Sequence, residues 1–375
     1  SKIEDVRRMQ QETEEAHSLL AYLGGTPMIS FTDVRTALHL AQIGSSLSPR
    51  ALMDVGACLR ASRAAREAIV TDRTDTPLMS ANASRLSTFK TIEQAISDAI
   101  ISEDEIADRA SNELFQIRRK MRACNERVRD RLNGMIHNPN FQKYLQDAII
   151  TMRADRYVLP VRQEYRSMVP GIVHDQSSTG ATVFIEPMTV VEIGNELKQL
   201  ISAEKAEIER ILKMLSAQVA PEADAIADNL AILAQLDFAF AKASLARQMN
   251  GCMPKINDEG RVNIVRGRHP LIDPEKVVPL DIRLGTDFTT LIITGPNTGG
   301  KTVTLKTTGL FTLMAQSGLQ VPADYGTEMA VFDDVFADIG DEQSIEQSLS
   351  TFSGHMTNIV SILQQVTPDS LVLFD

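Results

Sequence analysis

The stretch Gly295-Pro296-Asn297-Thr298-Gly299-Gly300-Lys301-Thr302 carries the residue types and spacing best suited to chemistry. It follows an apolar run, Thr290 to Thr294, that reads as a buried β-strand, and it leads into a helical pattern from about Thr302 to Ser317. Glycine at 295 and 300 lets backbone N–H groups converge on phosphate oxygens, where a Cβ would block the approach or forbid the backbone angles. The positive end of the following helix points at the same place. Lys301 offers a point charge to the terminal phosphates, and the Thr302 hydroxyl is a magnesium ligand. Residues 295–302 therefore predict binding of ATP or ADP with Mg2+.

A second element, Ser370-Leu371-Val372-Leu373-Phe374-Asp375, is an apolar strand closing in an acid, the Walker-B pattern. Asp375 would hold the magnesium through water, beside Thr302. A catalytic carboxylate that orients the attacking water is expected beyond Asp375, so the 375 residues are read as binding nucleotide with very slow turnover.

These groups need a scaffold, and the rest of the chain divides by pattern. Residues 1–102 read as the first part of a helical core, with Thr32 capping a helix that Gly44 ends and Ser48-Pro49 opening another. From about Glu103 one long helix is predicted, with Leu114, Ile117, Met121, Cys124, Val128, Leu132 and Met135 spaced by three and four. A second seam runs through Ile193, Leu197, Ile201, Ile208, Ile211 and Leu215. The two would pair antiparallel as a coiled-coil arm over 103–220, about 50 Å long at 1.5 Å per residue. Between them, at about 138–190, strand-like runs at Tyr157 to Val161, Gly171 to His174 and Ala181 to Ile185 predict a small β-rich tip. Residues 221–254 return to the helical core, and 255–375 read as a P-loop domain of α/β character. The predicted fold class is thus α plus α/β.

Composition narrows the function. The chain is 43% hydrophobic and 23% charged, lacks Trp, and has no apolar run near the roughly 20 residues that span a bilayer. No membrane role and a cytoplasmic location are expected, since the charged start offers no signal core. Cys58, Cys124 and Cys252 lie too far apart for a zinc or disulfide pattern and read as small apolar residues. The net charge of −11 hides a local reversal: residues 109–166 hold 13 Lys and Arg against 6 Asp and Glu. The facing helix, 192–213, nearly balances its own charges, so pairing between the helices is not expected to absorb the surplus. Arg118, Arg122 and Arg129 on the arm, with Arg153, Arg156, Arg162 and Arg166 near the tip, become candidates for nucleic-acid phosphate contact, against the alternative of a solvated face. His174 and His355 have no acid at ligand spacing and read as structural or surface residues; His269 either braces a strand start or faces the nucleotide.

The Pro-Asn after the first glycine of the loop resembles the MutS type of phosphate loop. Arg268-His269-Pro270-Leu271 is similar to the opening of MutS ATPase domains, and Asp338 to Ile345 with Ser350-Thr351-Phe352 to the segment between the Walker motifs. With Gly171 to Gln176 and Phe184 to Pro187, the likeness points to the second bacterial MutS branch. That resemblance implies a homodimer joined through the ATPase domain that grips branched DNA or a ribosome and its rRNA, suppressing recombination or splitting stalled ribosomes. It also implies that Ser350 reaches the nucleotide of the opposite subunit, where the alternative is a helix cap, and that a complete member ends in a Smr-type nuclease domain. Two other classes of P-loop protein differ in their layout. A chromosome-organising ATPase places its phosphate loop before its arm, the reverse of the order here; a small-molecule kinase would need a substrate lid and no arm.

Overall fold

The structure is a computed structural model that describes residues 2–296, 299–339 and 348–375, the side chains of 348–354 excepted. Helices α1 (Lys2–Leu23), α2 (Arg35–Gln42), α3 (Pro49–Ile69), α4 (Pro77–Ser84) and α5 (Lys90–Ala99) come first. A hairpin, β1 (Ile100–Ser102) and β2 (Glu105–Ile106), leads to α6 (Asn112–Ile136) and α7 (Pro139–Gln142). Then come β3 (Thr151–Arg153), β4 (Arg156–Arg162), β5 (Gly171–Gln176), β6 (Thr182–Pro187), α8 (Met188–Val219) and α9 (Ala223–Gln248). The remainder holds β7 (Lys255–Asn257), β8 (Val262–Gly267), β9 (Leu280–Leu284), α10 (Lys301–Gln316), β10 (Glu328–Ala330), β11 (Asp334–Asp338), α11 (Ser348–Gln365) and β12 (Ser370–Phe374). Helix and sheet are mixed, and the sheets are small. The chain gathers into two compact units, one of residues 1–30, 61–87 and 228–375, the other of 31–60 and 88–227.

In the second unit α6 and α8 lie side by side in opposite directions. Ser111 meets Glu207, Arg118 meets Glu204 and Arg127 meets Glu196, so residue numbers fall on one helix as they rise on the other. Both apolar seams are buried on this contact: Leu114, Cys124, Val128 and Leu132 from α6, and Ile193, Leu197, Ile211 and Leu215 from α8. The long helix does not begin near Glu103 as expected. Residues 100–106 form the hairpin, and α6 starts at Asn112 because the Ser111 hydroxyl accepts from Leu114 N at 3.0 Å and caps it. At 25 residues α6 is about 38 Å long, shorter than the length expected of the pair.

The chain between these helices makes a four-stranded antiparallel sheet in the order β3-β4-β6-β5. Its inward residues Leu159, Val161, Val183 and Ile185 share one core with Val128, Leu132, Val190 and Ile193 of the helices. The three strands expected here are present. Gly171 begins β5 where a Cβ would overlap the Glu186 carbonyl oxygen of β6, so only glycine allows that approach.

In the other unit, β7-β10-β8-β9 form one sheet and β11 and β12 a separate parallel pair. Phe311 and Met314 of α10 pack with Val262, Ile264, Met329, Leu371 and Leu373, and Val6 of α1 joins the same core. Thr13 on α1 donates to Gly318 O at 2.6 Å, which seats the first helix beside the end of α10. In the unit of residues 31–60 and 88–227, helix α2 begins at Arg35, not under a Thr32 cap; the Asp33 carboxylate takes the Arg35 N–H instead.

Candidate functional site

The loop singled out by spacing ends where expected, at the first turn of α10. Gly300 stands before Lys301 with φ +80 and Gly295 opens the loop with φ +148, both in the region that side chains resist. Gly299 N donates to Pro296 O at 2.9 Å, a tight turn inside the loop. Lys301 reaches back across it, its ammonium 2.7 Å from Gly295 O. Asn297 and Thr298 lie outside the described residues. The preceding run is a correction: Thr290 to Thr294 is not a strand, and Ile292 is 80% exposed. An apolar run becomes a strand only when a neighbour takes its N–H and C=O groups, and β11 pairs with β12 while this segment pairs with neither.

Strand β12 forms as predicted, with Leu371 and Leu373 buried, and delivers Asp375 to the start of α10. There the Thr302 hydroxyl donates to the Asp375 carboxylate. The two residues chosen from sequence as magnesium ligands are therefore neighbours. On the other side of Asp375, its N–H donates to Asp338 O at 3.1 Å.

Asp338 brings in two residues that sequence reasoning missed. His355 Nδ1 lies 3.0 Å from both carboxylate oxygens, and Asn358 Nδ2 donates to Oδ1 at 2.9 Å. The Asn358 amide, helped by His355, holds the Asp338 carboxyl below the usual range against the opposing effect of burial. His355 thus has an acid partner outside any ligand spacing in the sequence, as has His174, whose Nε2 sits 2.7 Å from Glu186. Both partners are distant in sequence and come close only through strand pairing and helix packing. His269 accepts from Leu271 N at 3.3 Å and so braces its own turn, and burial with nearby Lys306 holds its imidazole below the usual range.

The arginines divide into two sets. Arg156 donates to the Glu186 carboxylate, which is 2% exposed, and to Asn195. Arg118 bridges Asp108 and Glu204, Arg122 meets Asp108, and Arg153 pairs with Asp175 over the Phe184 ring. Internal pairing thus takes up more of the basic surplus than the charge count suggests. Arg129, Arg162 and Arg166 are exposed and form no ion pair among the described residues. The Ser350 side chain lies outside the described residues, at the head of α11.

Residues 291–375 match MutS domain V, the part of the chain that holds the glycine loop, α10 and Asp375. The full chain is 54% identical over 374 residues to the endonuclease MutS2 of Clostridioides difficile, covering 99% of this chain and 47% of that protein. It is 52% identical over 373 residues to that of Alkaliphilus metalliredigens, with 99% and 47% covered, and 51% identical over 378 residues to that of a Geobacillus species, with 100% and 48% covered. The chain belongs to the MutS family, in the branch of these relatives. It spans about half the length of the curated relatives it matches. No helix among the described residues is long and apolar enough to cross a membrane.

Proposed function

We propose that this chain is the nucleotide-binding and nucleic-acid-gripping portion of a MutS-type ATPase that works as a homodimer in the cytoplasm. The contact of Thr302 with Asp375 carries the reading, because it sets two hard oxygen donors suited to magnesium next to a lysine and a glycine turn suited to phosphate. Bound magnesium would neutralise charge on the phosphate oxygens. Gly295 to Thr302 hold the nucleotide, and Thr302 and Asp375 orient the metal. Ser350 acts on the partner's nucleotide. In this reading the domains follow the boundaries 1–102, 103–220, 221–254 and 255–375, with the paired helices as an arm that carries a clamp tip.

The partner of the arm is nucleic acid, branched DNA or ribosomal RNA, held through its phosphates; suppression of recombination or rescue of stalled ribosomes is the role this serves. The relatives are named endonucleases, which agrees with a nucleic-acid partner.

Thermal melting with magnesium and ATP tests the core of the proposal. Ligand at a hundredfold excess over its Kd should stabilise the chain by about 2.7 kcal/mol, and Lys301→Ala should remove the effect. A parent protein whose melting temperature ignores saturating nucleotide would refute it.

A further inference from the structure

Strands β11 and β12 run parallel with Asp338 opposite Phe374, and the next residue is Asp375. Asp338 serves both of its neighbours at once. Its carbonyl oxygen takes the Asp375 N–H at 3.1 Å, while its carboxylate, 10% exposed, is turned onto α11. A carboxylate so far removed from water must be matched by donors. Both donors come from one face of α11: His355 and Asn358 are three residues apart, about one helical turn.

We propose that Asp338, His355 and Asn358 form a positioning cluster that sets the place of Asp375 beside Thr302 and ties it to α11, so that magnesium-dependent nucleotide binding and the seating of α11 are coupled. This deepens the nucleotide reading and rests on it. None of the three touches the nucleotide in this scheme; they act through Asp375. Because α11 starts at Ser348, the Ser350-Thr351-Phe352 segment heads the same helix. A change at the metal carboxylate is thereby passed to the segment assigned to the opposite subunit.

Two measurements on the chain test the inference. The first is ATP affinity with magnesium and with chelator. His355→Ala should lose about tenfold or more of the affinity gained from magnesium while its chelator affinity stays within about twofold, as expected when the support of a metal ligand is removed. His355→Gln should recover part of the gain, since its amide can still donate to Asp338. The second is hydrogen exchange without nucleotide, where His355→Ala should speed exchange of the Asp375 amide. Should His355→Ala fail to fold, Asn358→Ala carries the same comparison. Parent-like magnesium gain and unchanged exchange in His355→Ala and Asn358→Ala overturn the proposal. Faster exchange at Asp375 with no nucleotide response from the parent overturns the nucleotide reading while upholding the positioning of Asp375.

Discussion

The hydroxyl of Thr302 and the carboxylate of Asp375, 73 positions apart, share a hydrogen bond at the junction of α10 and β12. Replacing Thr302 with valine keeps the size of the side chain and removes the oxygen. Thr302→Val is expected to lower the magnesium-dependent gain in ATP affinity by about tenfold or more and to leave chelator affinity nearly unchanged. Isothermal titration with and without magnesium checks this, and equal gains in variant and parent would count against a metal role for Thr302.

The arginines invite a sharper experiment than a wholesale removal of charge. Replacing Arg129, Arg162 and Arg166 together by alanine should weaken binding to DNA of every sequence about equally and reduce the salt slope by roughly three. Arg156→Ala should behave differently, because it leaves the buried Glu186 carboxylate without its guanidinium and costs about 3–5 kcal/mol of stability. Fluorescence anisotropy over a salt series, alongside urea melts, separates the two effects.

Gly171→Ala should destabilise the tip sheet by about 1–3 kcal/mol, since the new methyl overlaps the Glu186 backbone across the strand pair. Urea denaturation gives the number. An unchanged midpoint would mean that β5 and β6 separate easily at this end.

Acid should loosen the start of α6. Glu207 accepts from Arg210 and from Ser111, the residue that caps α6, and the Arg210 hydrogen bonds hold its carboxyl below the usual carboxylate range, with Ser111 adding to them. A carboxylate lowered in the folded state stabilises above its unfolded pKa, and that contribution fades as pH falls through the folded value. Glu207→Gln should therefore be less stable than the parent at pH about 7, with the gap closing as pH drops below about 4. A gap that stays constant across a pH series of urea melts would rule out this linkage.

Local pattern and tertiary placement explain what could be read from the residues alone. Apolar spacing shows both long seams, because burial on one face leaves a period in the sequence, and short apolar runs show the three longer tip strands and β12. The three-residue β3 was missed, being too short to show alternation. Thr290 to Thr294 has the composition of a strand, yet composition cannot supply the neighbour a strand requires. The two histidine–acid pairs stayed hidden for another reason. His174 and Glu186 meet through strand pairing 12 residues apart, and His355 and Asp338 through helix-on-strand packing 17 apart, distances no ligand-spacing rule covers. The glycine loop was the most legible feature of all, since backbone angles restrict residue type there directly.

The seat of α1 has a consequence for the chain's birth. Thr13 finds its acceptor at Gly318, 305 residues later, and Val6 shares a core with Leu371 and Leu373 of the last strand. At about 5–20 residues per second, a ribosome needs roughly 15–60 s to supply that acceptor after Thr13 has been added. Through that interval the apolar side of α1 has no native partner there, and a nascent-chain chaperone gains a window in which to hold it.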